Sequence, residues 1–229
     1  VVISEFEGPH PAGNVGVQIN NIKPVNRGET VWTLNAIDVA VIGRLFNKGV
    51  TDLTRTVALC GSEVKETGFY NMLVGTELSS IFNNNVTEGI SLRYISGNPL
   101  IGRKIDKNGV LRAYSSQITV IPEGDDVHEP FGWASFSPKR YSAGKTYLKL
   151  KKKYRLDARL MGGRRAIIVS NEYDKVFPFD IFPEQLIKAT MAFNIEKMEN
   201  LGIYEVAPED FALCEFVDTS KLELQRIIR

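Results

Sequence analysis

The sequence has 229 residues, of which 43% are hydrophobic and 24% are charged, and its formal net charge is +1. A chain of this size and composition can bury a sizeable core and is expected to hold two or more small domains. Its longest apolar runs fall far short of the ~20 residues of a membrane span, and the first residues show no signal-peptide pattern. The two cysteines, Cys60 and Cys214, are too few for a zinc or iron–sulphur site held by this chain alone, so we expect a soluble protein in a reducing compartment.

The first distinctive stretch is EGPHPAG at residues 7–13, where His10, one of two histidines, stands between Pro9 and Pro11. Proline fixes its own φ near −65° and disfavours the helical region for the residue before it. The stretch is therefore predicted to be a shaped loop. Two interpretations stay open: a connector between a strand ending near Phe6 and an element after Gly13, or a preformed docking surface.

Residues 31–60 are predicted to form one βαβ crossover of a parallel sheet, with a strand at Val31–Leu34, a helix, and a strand in TRTVALC. Asn35 is placed to cap the helix and Gly49 to end it. The helix carries an apolar stripe of Val39, Ile42 and Phe46. A parallel sheet needs several strands and too few precede Thr56, so we expect a Rossmann-like part whose earlier strands are missing.

The next 70 residues follow a different pattern. Two short strands, a helix opened by Gly75 and Thr76, and two further strands are predicted, the last of them ended by Pro122. This order indicates an α+β unit of the β-grasp kind. It also contains the spaced residues Val57, Gly61, Val64, Gly68, Tyr70, Gly75, Thr76 and Leu78, followed by SGNPLIG at 96–102. That pattern resembles the soluble-ligand-binding β-grasp domain in flavin-carrying subunits of respiratory NADH dehydrogenases, although here we expect a docking platform rather than a ligand site.

A strongly basic stretch follows at residues 139–165, which holds eleven Lys or Arg residues against one acid, Asp157. Its partial alternation of charged and apolar residues is typical of a strand with one solvated face. Contact with an acidic partner, with anionic lipid or with nucleic acid stays open as an alternative. Within it, Gly162, Gly163, Arg164 and Arg165 form either an anion-binding turn or a tight hairpin with solvated arginines.

The last 48 residues are predicted to be helical. Pro183 suits a first helical turn, and an apolar stripe of Ile187, Met191, Ile195 and Met198 predicts one helix that ends at Gly202. A second helix is predicted to start near Pro208, with the carboxylates of Glu209 and Asp210 explained by capping and solvation. Ser220 and Glu223 have the spacing of a capping box for a third helix.

The predicted fold class is thus a multi-domain α+β chain. Its parts are an incomplete Rossmann-like segment at 1–54, a β-grasp domain at 55–124, a β-rich basic segment at 125–181 and a truncated helical domain at 182–229.

Longer motifs support a closer resemblance. These are GPHPAG at 8–13, DVAVIGRLF at 38–46, GSEV at 61–64, PFDIFP at 178–183 and EDFALCEFV at 209–217. In order and spacing they resemble the A-subunit of the bacterial sodium-translocating NADH:quinone oxidoreductases, and the chain matches a central part of it.

The resemblance implies a complex that oxidises NADH, reduces ubiquinone and exports Na⁺. Within it, this chain is expected to lie on the cytoplasmic side of the bacterial inner membrane, held there by a membrane-embedded subunit. NADH, flavins, iron–sulphur centres and ubiquinone would belong to the whole complex, and this chain would bind no cofactor or metal itself. In agreement, it has no G-x-G-x-x-G, and near Cys214 it has Asp218 where the resemblance to the cluster-binding subunits implies a further cysteine.

No catalytic set is found in the sequence. The candidates for a quinone-site edge or partner interface are Pro9, His10, Pro11 and Gly13, with the alternative that His10 only bonds a backbone carbonyl and holds the loop's shape. The alternative function is a stand-alone binding module for a small ligand, an anionic partner or nucleic acid, although nucleic acid is not expected.

Overall fold

The computed structural model describes residues 2–125, 154–160 and 162–229. The chain divides into two compact units, one formed by 1–33 with 162–229 and the other by 34–161. We call the first the helical unit and the second the sheet unit. None of the helices in the described part of the chain is both long enough and apolar enough to cross a membrane.

The sheet unit contains a five-stranded mixed sheet. Its strands are β1 (Thr54–Cys60), β2 (Gly68–Leu73), β3 (Leu92–Ser96), β4 (Arg103–Ile105) and β5 (Gln117–Pro122), in the order β2-β1-β5-β3-β4. The β1–β5 pair is parallel and the other three pairs are antiparallel. The sheet therefore mixes hairpin and crossover connections.

One face of this sheet carries the core of the unit. Alternate residues of β1 and β5 point to the same side, and they pack with the short helix α3 (Ser79–Phe82). The buried members include Val57, Leu59, Leu78, Phe82, Ile118 and Val120. Gly61 ends β1 at a φ of 125°, and a Cβ there would lie 2.0 Å from the carbonyl oxygen of Val120. Only glycine fits this approach between parallel neighbours.

Helix α2 (Ala36–Lys48) precedes β1 in the same unit. As predicted, Asn35 stands at its N-cap position and Gly49 ends it in the left-handed conformation, with Asp38 in the first turn. The side chain of Asn35, however, makes no capping hydrogen bond to the described residues. The side chain of Arg55, on β1, donates from Nη2 to Oδ1 of Asp38 at 3.0 Å.

The helical unit is built from short helices around an aromatic and aliphatic core. They are α1 (Val15–Ile22), α4 (Pro183–Met191), α5 (Ile195–Asn200), α6 (Ala212–Val217) and α7 (Leu224–Ile228), with 3₁₀ turns at Tyr173–Lys175, Ile203–Glu205 and Pro208–Phe211. Val17, Tyr173, Phe177, Leu186, Phe211 and Leu224 are among the buried residues of this core. The helix predicted near Pro208 is confirmed as a 3₁₀ turn continued by α6.

Several local predictions are wrong. Val31–Leu34 forms no strand, so the predicted βαβ crossover of residues 31–60 is absent; Val31 and Leu34 are exposed, and the parallel neighbour of β1 is β5. The long helix from Pro183 breaks after Met191 because Phe193 takes a left-handed φ of 52° and Asn194 caps a new helix.

The predicted capping box before the last helix also fails. The N-cap of α7 is Glu223, and the hydroxyl of Ser220 donates instead to the carbonyl oxygen of Ala166 at 3.2 Å. The coarse α+β class is supported by the mixed sheet and separate helices. The Rossmann-like and β-grasp assignments, and the four domain boundaries, stay predictions.

Candidate functional site

The loop at residues 7–13 has a defined hydrogen-bonded shape. The amide of Ala12 donates to the carbonyl oxygen of Pro9 at 2.9 Å, and the amide of Asn14 donates to that of Pro11 at 2.8 Å. The His10–Pro11 peptide is cis. Two turns thus follow each other directly, as expected for a stretch in which two prolines restrict the backbone.

This loop leads straight into α1, which attaches it to the helical unit. Val17 is buried in the core, and the side-chain amide of Asn20 donates from Nδ2 to Oε2 of Glu205 at 3.0 Å. The element predicted after Gly13 is therefore confirmed as a helix, whereas residues 2–7 contain no strand.

His10 itself is exposed at the tip of the loop, and no hydrogen bond joins its imidazole to another described residue. Pro9 and Gly13 are also exposed, and Pro11 is half-buried. The imidazole can therefore donate, accept or exchange a proton with a molecule that reaches the loop from outside. The structure gives no support to a bond from His10 to a carbonyl oxygen of a described residue.

Below the loop, a buried carboxylate contacts the first turn of α1. Asp210 is only 2% exposed, and its Oδ2 accepts the amide of Ala207 at 2.8 Å. A Cβ at Gly16 would lie 3.1 Å from Oδ1, an atom that has no hydrogen-bond partner among the described residues. Burial raises the pKa of Asp210 to about 6, and the nearby Glu209 adds to the rise.

The possible anion-binding turn is largely occupied by the protein's own groups. The guanidinium of Arg164 is paired with the carboxylate of Glu223, which also pairs with Arg226. The amide of Arg165 donates to the carbonyl oxygen of Ser220 at 2.8 Å. The side chain of Arg165 is exposed and is the group of this turn that an anion from solution can reach.

Most of the basic stretch, residues 139–153, lies outside the described residues. Its continuation is fixed to the sheet unit by a two-pronged ion pair, in which Arg155 donates from Nε and Nη2 to both oxygens of Glu63 at 2.5 and 2.6 Å. Glu63 is 2% exposed, and the guanidinium holds the pKa of this carboxyl below its ordinary value. The arginine thus neutralises a carboxylate of the GSEV motif.

Another polar network is centred on Asp218, four residues after Cys214. The hydroxyl of Tyr173 donates to Oδ1 of Asp218 at 2.8 Å, and the same carboxylate accepts the amides of Ser220 and Leu222. Cys214 is fully buried, and burial raises the pKa of its thiol to about 12. Asp218 therefore organises the turn before α7. No group of three or more potential metal ligands occurs in the parts of the chain that the structure describes.

Sequence reasoning predicted the loop but missed the buried carboxylate beneath it. The spacing of Pro208, Glu209 and Asp210 identified a helix start, and Asp210 does cap it, yet the expected solvation is wrong because its side chain is enclosed. Nothing in the local pattern signals that Gly16, almost 200 positions away, packs against this carboxylate.

Comparison with known proteins gives two family matches. Residues 1–51 match the family model described as NqrA second alpha/beta domain, and residues 56–107 match the one described as NQRA C-terminal domain.

Whole-chain similarity extends beyond these two segments. The A-subunit of the Na(+)-translocating NADH-quinone reductase of Haemophilus influenzae (strain PittEE) is 36% identical over 230 residues, covering 99% of this chain and 51% of the relative. The protein of the same name from Neisseria meningitidis serogroup B is 37% identical over 229 residues, covering 98% and 51%. That of Actinobacillus succinogenes is 36% identical over 232 residues, covering 100% and 52%. The chain spans about half the length of the curated relatives it matches, and the predicted resemblance is confirmed.

Proposed function

The chain is homologous over its whole length to about half of the A-subunit of the Na(+)-translocating NADH-quinone reductases, and on this premise we propose that it works as part of that component. The complex would oxidise NADH, reduce ubiquinone and transport Na⁺. The observation that carries the proposal is 36% identity across 99% of the chain. Other subunits of the complex would be its partners.

Within the complex, we place the chain on the cytoplasmic side of the membrane, without a flavin or iron–sulphur centre of its own and held by a membrane-embedded subunit. A cluster held by this chain would need several thiolates. The chain has two cysteines, and the thiol of Cys214 is enclosed with its pKa raised, which favours the protonated form.

We also propose that the loop with Pro9, His10, Pro11 and Gly13 contributes to the interface with the membrane-embedded subunit, at the edge of the quinone site. A loop held by two internal turns loses little conformational entropy when it docks. The exposed imidazole of His10 supplies a donor or proton carrier for a carbonyl group.

The membership is tested by purifying the protein from its source membranes through an affinity tag on this chain. We expect the other subunits to co-purify and the preparation to show NADH-quinone reductase activity that depends on Na⁺. Isolation of the tagged protein alone, with membrane activity unchanged after its gene is deleted, would overturn the proposal.

The interface role is tested in the assembled complex with His10→Ala and Pro9→Ala, and with Glu5→Ala as a control on an exposed residue of the same segment. We expect a severalfold loss of quinone reduction or a changed inhibitor sensitivity, while NADH oxidation with an artificial electron acceptor stays normal. If both variants behave like Glu5→Ala, the loop is a connector.

The cofactor-free state is tested by absorbance of the desalted chain. We expect no flavin or iron–sulphur bands in the visible range. A yellow or brown protein with such bands would contradict this part of the proposal and leave the membership unaffected.

A further inference from the structure

The two edge strands of the five-stranded sheet differ in chemistry. At one edge, β4 has exposed cationic side chains, those of Arg103 and Lys104, at two of its three positions. Charged side chains on an edge strand hinder its pairing with a strand of another chain. At the other edge, β2 reads GFYNML over Gly68–Leu73 and contains no charged residue and no proline. The β2 edge therefore lacks the protection that the β4 edge has.

The backbone of β2 also presents hydrogen-bonding groups along its outer side. Its register with β1 continues without a bulge along its whole length, and just beyond it the amide of Val74 donates to the carbonyl oxygen of Leu53 at 3.4 Å. Because the peptide groups of an antiparallel strand alternate between its two sides, the residues in step with Val74 direct their N–H and C=O groups toward β1, and Phe69 and Asn71 direct theirs outward. Among the described residues, no strand lies on that outer side. This row is a template for one more strand.

Side chains on the same edge form a row of apolar, amide and apolar groups. Phe69, Asn71 and Leu73 alternate with the core-facing residues of β2, so they lie on the sheet face away from α3. Phe69 is 81% exposed and Leu73 is 56% exposed. Asn71 is also exposed, and its Oδ1 accepts the hydroxyl of Thr56 on β1 at 2.8 Å. The row has the same order in both directions, which is the symmetry that a two-fold contact between identical strands requires.

We propose that β2 pairs antiparallel with β2 of a second copy of this chain, about a two-fold axis at Asn71, so that the two sheets become continuous. In this register Asn71 stands opposite its own counterpart, and Phe69 stands opposite Leu73 of the second copy. Each of these pairs exchanges N–H···O=C bonds between outward-facing groups. The carbonyl oxygen of Leu73 already accepts the amide of Thr76 at 3.1 Å, and its second lone pair takes the new bond.

The sequence of β2 favours its own copy as the occupant. A strand without charges meets no like-charge repulsion when it pairs with itself. The axis at Asn71 covers each exposed apolar side chain with another and sets amide against amide, whereas an axis at Tyr70 would set Phe69 against an amide. The contact closes after two copies, so it leaves no free β2 edge. The inference concerns assembly of this chain and does not depend on the redox role proposed above.

The register is tested by oxidation of cysteine variants of the full chain. Directly opposed residues of such a pair have Cα atoms about 5.5 Å apart, within the span of a disulfide. We expect Asn71→Cys to form a covalent dimer with itself. Phe69→Cys and Leu73→Cys should each form no covalent dimer alone, because their own counterparts lie roughly 13 Å away along the strand, and should cross-link when mixed. Peptide mass spectrometry separates these disulfides from any made by Cys60 or Cys214.

The oligomeric state is measured by light scattering over an about hundredfold range of concentration, for the wild-type chain, Asn71→Lys and Thr56→Lys. Asn71→Lys opposes two like charges at the axis and should weaken the dimer at least about tenfold. Thr56→Lys is the matched control, because it removes the same bond between Thr56 and Asn71 and adds the same charge one strand away from the edge. It should dimerise like the wild-type chain. Urea unfolding verifies that both variants are folded.

A wild-type chain that stays monomeric over the whole range would overturn the proposal. So would equal dimerisation of Asn71→Lys and wild type, which would place the contact elsewhere, or a disulfide of Phe69→Cys with itself, which would exclude this register. A chain whose β2 amides become protected from hydrogen exchange only when other subunits are added would assign the edge to a strand of a different protein and refute the second copy. If Asn71→Lys fails to fold, the cross-linking of the cysteine variants decides.

Discussion

Asp210 is expected to make the stability of the helical unit depend on pH. Its carboxyl is enclosed, one oxygen has no partner in the described structure, and its pKa is raised from 3.8 to about 6. A group whose pKa is raised by folding stabilises the protein fully below the unfolded pKa and loses that contribution as pH rises through the folded pKa. The affected window is therefore about pH 4 to 7.

The magnitude follows from the shift of about two pKa units, since one unit corresponds to about 1.4 kcal/mol. Between pH 4 and pH 8, the free energy of unfolding of the wild-type protein should fall by about 3 kcal/mol relative to Asp210→Asn, which cannot ionise. At one given pH the two proteins will also differ in hydrogen bonding, because the amide places an N–H₂ group where Oδ1 stands. Only the pH dependence of their difference reports the ionisation.

The first assay is urea unfolding at several pH values for the wild-type protein, Asp210→Asn and the exposed control Glu196→Gln. The second is NMR, which follows the chemical shift of the Asp210 carboxyl carbon as a function of pH. We expect an NMR midpoint near pH 6 and a difference from Asp210→Asn that changes through that midpoint, whereas Glu196→Gln follows wild type. A midpoint near 4 together with a constant difference would refute the reasoning, because the carboxyl would then be solvated in the folded protein.

Other substitutions test the packing by urea unfolding. Arg155→Ala should cost about 1–3 kcal/mol, because it leaves the buried Glu63 carboxylate without its guanidinium; an unchanged midpoint would mean that solvent already reaches that carboxylate. Gly61→Ala should prevent native folding of the sheet unit, since its Cβ meets a backbone oxygen at 2.0 Å, while Gly43→Ala, with open space around it, should stabilise α2 by about 0.5–1 kcal/mol. If Gly61→Ala were more stable than Gly43→Ala, the backbone geometry at these two glycines would be contradicted. Tyr173→Phe removes a 2.8 Å hydrogen bond to a buried carboxylate and should cost about 1–3 kcal/mol, and a loss below about 0.5 kcal/mol would count against that bond.

Local signals in the sequence predicted the elements that depend on local chemistry. The bounds of α2 follow from Asn35 and Gly49, and β1, β2, β3 and β5 follow from alternation and turn residues. Strand β4 was missed because three residues at a sheet edge carry too short a pattern. The type of α1, predicted as either a helix or a strand after Gly13, stayed open because its asparagines and glycine have weak helix propensity. Tertiary contacts determine both.

The wrong predictions have the same origin in long-range context. Val31–Leu34 has the composition of a strand but no neighbouring strand among the described residues with which to form hydrogen bonds. The break after Met191 depends on one left-handed phenylalanine, Phe193, which no periodicity signals. For the candidate site, two prolines predicted the loop's shape, whereas the enclosure of Asp210 depends on packing against Gly16.

This packing links the loop to the stability of the unit that carries it. Gly16 lies in the first turn of α1, directly after the loop, and both oxygens of Asp210 lie within 3.2 Å of where its Cβ would be. A substitution at His10 changes only an exposed side chain. A substitution at Asp210 changes the contact with Gly16 of α1, the helix that follows the loop and positions His10. Loss of quinone reduction in His10→Ala with an unchanged urea midpoint would therefore assign the effect to the imidazole. A loss accompanied by a lowered midpoint would instead assign it to displacement of α1.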